Sequence, residues 1–172
     1  MAATTFDTAV VKKMVDQALD FAAREVGHQA RAQTMAALKS GDCSVCEYVL
    51  HGLAHEVATY LGSVDSSVKA IYTYEPEYAT GADGPMPDQP NLSPAISMLA
   101  WVDRKSAALA SVVNILSSAV TEELKRFGCP KANALCHTLD VELVDEDQVL
   151  GRIGYGALID SVYVRPMEIW RR

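Results

Sequence analysis

The chain has 172 residues, of which 49% are apolar and 22% are charged, so it suits one domain with a buried core and excludes global disorder. Its net charge of −7 repels phosphate backbones, so nucleic acid is not an expected partner. The first residues lack the apolar segment of a secretory signal, and no run of about 18 to 20 uncharged apolar residues predicts a membrane span. We therefore expect a cytoplasmic protein without a membrane partner, whose four cysteines are reduced thiols or metal ligands.

Apolar residues recur at helical spacing along the N-terminal segment, residues 7–39. Gly27 lies inside this run, and a glycine costs about 1 kcal/mol relative to alanine in a helix interior. The pattern predicts one long helix, or two helices separated near Gly27. Because a long apolar helix in a small chain often contributes to an interface between copies, we predict a homodimer that forms through this segment.

A second helix is predicted over residues 45–61. Ser44 and Glu47 have the spacing of a capping box at its start, and Gly62 is placed to stop it. The predicted helical segment of the protein therefore covers residues 1–63.

The pattern then changes to that of a sheet. Alternating β-branched and aromatic residues predict strands over residues 68–75 and 95–102. Between them, residues 76–94 hold five of the seven prolines, a density that neither a helix nor a sheet tolerates. A loop of this length is usually either disordered or functional, as a lid or a contact arm.

A strongly amphipathic helix follows, with Asp103 as its predicted cap and Gly128 and Pro130 as its stop signals. Three further strands are predicted after it, over residues 134–144, 149–153 and 158–164.

These elements predict an α+β fold in a single domain, residues 1–172. We expect an antiparallel sheet of about four to five strands with helices packed on one face, preceded by the long N-terminal helical segment. After the loop of residues 76–94, residues 95–172 supply the order strand, helix, strand, strand. A single strand-helix-strand crossover is too few for a doubly wound parallel sheet.

Candidate metal or redox residues lie at the start of the second predicted helix. Cys43 and Cys46 form a C-x-x-C pair where a helix dipole favours the thiolate, but a thioredoxin-like motif follows a strand rather than a helix. Glu47, His51 and His55 share an outward stripe at a spacing where imidazoles can chelate zinc. Helical geometry places this stripe opposite Cys46, so one four-ligand cluster is excluded. A solvated stripe is the favoured alternative, since the sequence His-Glu-x-x-His is absent.

Cys129 and Cys136 extend the cysteines to four, the number of ligands in a closed structural zinc site. Their C-x6-C spacing differs from common zinc knuckles, so small buried thiols are the favoured alternative. His137 lies within an apolar alternation and is interpreted either as a hydrogen-bonded core residue or as the polar anchor of a ligand pocket.

Tyr72, Tyr74 and Trp101, together with His137, are the candidate ligand-binding residues, because aromatic side chains on neighbouring strands can line a cavity. Ordinary packing in the core is the alternative for such aromatic residues.

Gly151-Arg152-Ile153-Gly154 resembles the G-x-x-G loop of KH domains, which clamps an RNA backbone. That loop joins two helices in basic surroundings, whereas a strand and an acidic turn are predicted to precede it here. A tight turn or β-bulge is therefore the favoured interpretation.

No motif in the sequence names a catalysed reaction. We predict a soluble, non-catalytic, homodimeric domain that binds a small molecule or a protein. The first alternative is a protein that binds zinc or iron, or carries out thiol redox chemistry, through Cys43, Cys46, His51 and His55. The second is RNA binding through residues 151–154.

Overall fold

A computed structural model of the chain describes residues 8–75, 96–129 and 138–172. Within these residues the chain forms an α+β fold that contains a four-stranded mixed sheet. The predicted loop of residues 76–94 lies outside the described residues. The elements, in chain order, are α1 (Thr8–Glu25), α2 (Arg31–Ser40), α3 (Cys43–Val64), β1 (Val68–Thr73), β2 (Ile96–Val102), α4 (Ala107–Arg126), β3 (Leu139–Asp145), α5 (Glu146–Gly151), a 3₁₀ helix (Gly154–Leu158) and β4 (Met167–Arg171).

The strand order in the sheet is β3-β2-β1-β4. β1 runs antiparallel to both β2 and β4, whereas β2 and β3 are parallel. The α+β class is confirmed, but the prediction of an antiparallel sheet is wrong for the last pair. The crossover through α4 returns the chain to the end of the sheet at which β2 begins. β3 therefore starts at the same end as β2 and runs parallel to it.

Two predicted strands are wrong. Residues 149–153 belong to α5 and its C-terminal turn, because a reciprocal capping box starts a helix at this point. The Asp145 carboxylate accepts from the N–H of Gln148 at 3.0 Å, and the Gln148 side chain accepts from the N–H of Asp145 at 3.3 Å. Residues 158–164 contain the end of the 3₁₀ helix and turns. The sheet instead gains β4, which the sequence pattern does not predict.

The N-terminal segment forms two helices, and Gly27 lies between them with a φ of +73°. This left-handed conformation is strained for any residue with a side chain. The predicted capping box of α3 is wrong, because the helix begins two residues earlier. Asp42 is the cap, and its carboxylate accepts from the N–H of Val45 at 3.0 Å, in place of Ser44.

The cap of α4 also differs from the prediction. Ser106 caps the helix by accepting from the N–H of Leu109 at 3.0 Å. Asp103 is engaged elsewhere, because its carboxylate lies 2.8 Å from Nζ of Lys69.

Gly62 does not stop α3, which continues to Val64. The glycine instead makes room for Trp170 of β4, since a Cβ at position 62 would lie 2.1 Å from Cζ2 of the indole. The Arg172 guanidinium donates to the carbonyl of Gly62 at 2.6 Å and to that of Val68 at 3.2 Å. These contacts hold the last strand against the C-terminal part of α3.

The helices pack on one face of the sheet and enclose the main core. The apolar face of α1 contributes to this core, where Val15, Leu19 and Ala22 are fully buried. The residues that favour a homodimer through the N-terminal helix are therefore covered by the chain itself.

Two hydroxyl groups join α4 to the start of β3. The Thr121 hydroxyl accepts from the N–H of Thr138 at 2.9 Å and donates to the carbonyl of Ser117 at 2.9 Å. The Ser117 hydroxyl donates to the carbonyl of Leu139. Thr121 and Thr138 are both buried, so these bonds form away from water.

α4 is long and apolar enough, on length and composition alone, to cross a membrane. These criteria of length and mean hydropathy are broader than the uncharged apolar run that a membrane span would need in the sequence, so the expectation stated above is not contradicted. Core helices of soluble proteins meet them too, and 33% of the most apolar window of α4 is buried inside this chain. The remaining positions of that window are divided between partly buried and exposed residues.

Candidate functional site

The two thiols at the start of α3 lie in different environments. Cys43 is exposed, whereas Cys46 is buried in the helical core. Cys129 is also buried, and none of these three cysteines forms a disulfide. Cys136 lies outside the described residues. Within the described part of the chain, no three His, Cys, Asp or Glu side chains come together in a way that could hold a metal ion.

Glu47, His51 and His55 share the outward side of α3, as helical geometry predicts. The centroids of the two imidazole rings are 4.9 Å apart, and the ring of Phe21 on α1 lies 5.9 Å from that of His51. Partial burial, followed by the charge of His51, lowers the pKa of His55, while Glu56 opposes that shift. A neutral His55 ring is a possible metal ligand, but a bound metal needs donors beyond this pair.

A groove of about 700 Å³ opens beside His55, between α1, α3 and the turn before α2. The groove is lined by side chains of both charges. The Arg31 guanidinium lies 3.6 Å from the Asp20 carboxylate. No local sequence pattern reveals this groove, because its residues come from three separate segments. Among the lining residues are Asp20, Phe21, Arg24, His28, His55 and Glu56.

Tyr72, Tyr74 and Trp101 come together on the sheet face opposite the helices, which we call the outer face. Both tyrosines are buried, packed with Val164 and the partly buried Leu158. The 3₁₀ helix and the turn that follows it therefore cover this aromatic layer. His137, the fourth predicted ligand-binding residue, lies outside the described residues.

A row of polar groups crosses the outer face next to these aromatic residues. The N–H of Tyr74 donates to the carbonyl of Ser97 at 3.1 Å, and Ser97 pairs in register with Asp140 of β3. Ser97 is 5% exposed, and its hydroxyl has no hydrogen-bond partner. Glu142 follows on the same face, opposite Leu99. The sequence pattern does not mark Ser97 as a candidate site residue, because Ser97 lies within an apolar strand.

The outer face disfavours negative charge. Burial, followed by the charge of Asp140, raises the pKa of Glu142, and Lys105 opposes the shift. Burial also raises the pKa of Tyr74, with further contributions from Tyr155 and the two carboxylates. Tyr155 shows the same direction of shift, again mainly because of burial.

The raised pKa of Glu142 predicts a pH dependence of stability. The folded chain keeps a proton on Glu142 at pH values where the unfolded chain has released it, so this residue lowers stability as pH rises from about 4.5 through its folded pKa. We expect Glu142→Gln to stabilise the protein more at about pH 7.5 than at about pH 5, measured by urea unfolding. Asp147→Asn, at an exposed carboxylate, is the control, and an equal effect of Glu142→Gln at both pH values would contradict the prediction.

Residues 151–154 join α5 to the 3₁₀ helix, so a helix precedes them and the predicted strand at this place is wrong. Arg152 ends α5 in the left-handed conformation with a φ of 53°, and Gly154 has a φ of +54°. Glu146 and Asp147 begin α5. A five-residue 3₁₀ helix and nearby carboxylates differ from the two helices and basic surroundings of a KH loop.

The described part of the chain has nine large apolar side chains that are exposed, and six of them lie in residues 150–167. We call these six the C-terminal apolar surface: Leu150, Ile153, Tyr155, Val162, Tyr163 and Met167. Their exposed fractions run from 43% to 86%. The sequence pattern does not reveal this surface, because most of the segment has the composition of strands.

Tyr74, which is buried, lies next to residues from both halves of the C-terminal apolar surface. Its ring lies 6.5 Å from that of Tyr155 on one side. On the other side it lines a groove of about 630 Å³ together with Val162, Tyr163 and Met167. The surface therefore combines outward apolar side chains with a shallow depression.

Comparison with known proteins found no matching protein-family model, no matching curated protein and no matching solved structure.

Proposed function

We propose that the chain is a protein-binding domain and that the C-terminal apolar surface is its binding site. The observation that carries this proposal is the concentration of six of the nine exposed large apolar side chains in residues 150–167, among the residues that the structure describes. Soluble proteins rarely leave contiguous apolar patches in water unless the patch serves an interaction.

The shape of this surface favours a protein partner over a small molecule. Small-molecule sites are concave and enclose most of the ligand. Here Leu150 is 75% exposed and Tyr163 is 86% exposed, so both side chains project into solvent. The aromatic residues Tyr72 and Tyr74, which predict a ligand cavity, are instead packed beneath Val164.

The partner is proposed to be an apolar segment with basic residues beside it. Tyrosine is enriched among the residues that dominate binding energy at interfaces, and Tyr155 and Tyr163 supply two on this surface. Asp147 and Asp160 are exposed in the same part of the chain, as are Arg152 and Arg165, so the preference for a basic partner comes from the net charge of the whole chain. The net charge of −7 would speed association with a basic partner.

The other functional hypotheses have less support. A zinc or iron site at His51 and His55 needs further donor side chains, and none comes together with them in the described part of the chain. Thiol redox chemistry needs both cysteines of the pair to be accessible, whereas Cys43 is exposed and Cys46 is buried. RNA binding through residues 151–154 conflicts with the carboxylates of α5. A cytoplasmic location remains part of the proposal, supported by Cys43, Cys46 and Cys129, none of which forms a disulfide.

A random peptide library displayed on phage tests the proposed function. Selection on the wild-type protein is expected to enrich peptides with aromatic or aliphatic residues beside lysine or arginine. The double variant Val162→Ser/Tyr163→Ser should weaken binding of these peptides at least about 30-fold, which corresponds to about 2 kcal/mol of interface energy. Both side chains are more than 70% exposed, at 71% and 86%, so the fold should tolerate the change.

Val64→Ser is the matched control, because it removes an exposed apolar side chain at the end of α3, away from residues 150–167. It should leave peptide affinity unchanged. The proposal would be overturned if no peptides are enriched, or if the enriched peptides bind the double variant as tightly as the wild type.

A further inference from the structure

Two carboxylates of β3, Asp140 and Glu142, lie side by side on the outer face of the sheet. They are two residues apart on one strand, so their side chains point to the same face. Both residues are half-buried, and neither carboxylate has an ion pair or a hydrogen bond among the residues that the structure describes. Like charges that are partly removed from water repel each other unless a positive group lies beside them. This carboxylate pair therefore favours a cation.

A buried hydroxyl group lies next to the carboxylate pair. Ser97 of β2 pairs in register with Asp140, and the side chains of both residues lie on the outer face. Ser97 is 5% exposed, and its hydroxyl has no hydrogen-bond partner within the described part of the chain. Buried polar groups are normally hydrogen-bonded, so this oxygen is an acceptor that suits a ligand with N–H donors.

Two tyrosine rings border the same place. The N–H of Tyr74 donates to the carbonyl of Ser97 at 3.1 Å, and the Tyr74 ring lies 6.5 Å from that of Tyr155. Burial, followed by the charges of Glu142 and Asp140, raises the pKa of Tyr155, so its hydroxyl lies within electrostatic reach of both carboxylates. Tyr155 is 43% exposed and belongs to the C-terminal apolar surface. The carboxylate pair therefore lies at the border of the proposed binding site.

The three acceptor groups suit an ammonium better than a metal ion or a guanidinium. Calcium takes about six to eight oxygen ligands, and no three His, Cys, Asp or Glu side chains come together in the described residues. A guanidinium is a planar fork that fits the two oxygens of one carboxylate. An ammonium has three N–H donors, one for each of Asp140, Glu142 and Ser97, and aromatic rings attract such cations.

Lys105 is the residue of this chain that competes for the carboxylate pair. Its charge opposes the upward pKa shift of Glu142. Lys105 is exposed in the turn before α4, and it forms no ion pair with Glu142 in the part of the chain that the structure describes. Exposed charges attract each other weakly, so Lys105 leaves the pair open to a cation that is shielded from water.

We propose that Asp140, Glu142 and Ser97 form an ammonium site that binds a lysine side chain of the protein partner. The proposal rests on the function proposed above, because this lysine is the basic residue beside the apolar segment that contacts Tyr155. The four-carbon stem of the lysine lies against the Tyr155 ring while its ammonium donates to the three acceptors. The lysine thereby fixes the orientation of the partner on the C-terminal apolar surface.

Titration of the full chain with n-butylammonium chloride tests the ammonium site without a partner, since this compound carries a lysine side chain alone. At constant ionic strength, amide NMR signals of residues 97, 140, 142 and 155 should shift, with a dissociation constant on the order of millimolar. Asp140→Asn/Glu142→Gln should weaken binding at least about 10-fold. Lys105→Met should strengthen it about 2-fold, because a competing cation is removed.

Glu25→Gln/Glu47→Gln is the matched control, because it removes two charges from exposed positions of α1 and α3 on the other side of the sheet. It should leave n-butylammonium binding unchanged. The proposal is overturned if these signals do not shift by about 50 mM, well above a millimolar dissociation constant. It is also overturned if calcium chloride binds at the same residues more tightly than n-butylammonium, since the oxygens then belong to a metal site.

Parallel phage selection on the wild type and on Asp140→Asn/Glu142→Gln tests whether the ammonium belongs to the partner. Peptides from the wild type should carry lysine at a fixed distance from an aromatic or aliphatic residue, and peptides from the double variant should not. Replacing this lysine by norleucine should weaken binding about 10-fold to the wild type and less than about 2-fold to the double variant. Arginine at this position should not restore the full affinity.

The outcomes distinguish the ammonium site from the proposed function. Apolar peptides without a fixed lysine, or with the same lysine dependence on both proteins, overturn the ammonium site and leave the C-terminal apolar surface as a binding site. A wild type that enriches no peptides but binds n-butylammonium through Asp140 and Glu142 overturns the proposed function and supports the ammonium site.

Discussion

Gly62→Ala is expected to destabilise the protein by about 1–3 kcal/mol, although alanine is the better helix former. The added methyl group would lie 2.1 Å from the Trp170 ring. That ring is held in place because β4 pairs with β1, and the Arg172 guanidinium lies 5.9 Å from its centroid. Urea unfolding, compared at a constant m value, measures the change.

A double-mutant cycle separates this steric cost from helix propensity. In the Trp170→Ala background, the space beside position 62 is open, so Gly62→Ala should stabilise by up to about 1 kcal/mol. The sign of the effect therefore reverses between the two backgrounds. Ser63→Ala, at an exposed neighbouring position, should have the same small effect in both. The same cost for Gly62→Ala in both backgrounds would show that Trp170 does not occupy this site.

Thr121→Val is expected to destabilise the protein by about 1–3 kcal/mol, the cost of leaving a buried polar group without a partner. Valine keeps the shape of threonine but cannot accept the hydrogen bond that the Thr138 N–H donates at 2.9 Å. Urea unfolding measures the loss, and faster hydrogen exchange of the Thr138 amide locates it. Thr59→Val, at an exposed position of α3, is the control for the change of residue type. A loss no larger than that of Thr59→Val would contradict the assigned role.

The sequence predicts the helical core well, because helix periodicity is a local property. Helical spacing identifies the buried side of α3, on which Val49, Leu53 and Val57 are fully buried. It also predicts that Glu47 and His55 lie on the outward side. Each of these assignments depends only on residues within a few turns of one another.

The errors lie where distant residues or a short capping motif decide the structure. Val149 and Ile153 favour a strand by composition, yet the capping box between Asp145 and Gln148 starts a helix before them. β4 forms because Trp170 fits against Gly62, more than a hundred residues earlier in the chain, and no local pattern contains that contact.

Among the candidate sites, too, local spacing predicts what lies within one helix but not what depends on the position of an element in the fold. Sequence spacing predicts that His51 and His55 lie together, and their rings are 4.9 Å apart. It does not reveal the C-terminal apolar surface, because hydropathy gives the same value to an exposed Leu150 as to a buried one. Only the position of α5 at the periphery of the sheet determines that exposure.

The place of β1 in the sheet has a consequence for the order of folding. β1 is an inner strand, and its two neighbours lie at very different distances along the chain: β2 is the next strand in sequence, whereas β4 comes about 100 residues later. Until β4 docks, β1 presents an unpaired edge beside Tyr72, and such edges recruit strands from other molecules. The hydrogen bond from Arg171 to the Tyr72 hydroxyl, at 3.1 Å, therefore belongs to the step that protects the nascent sheet from aggregation.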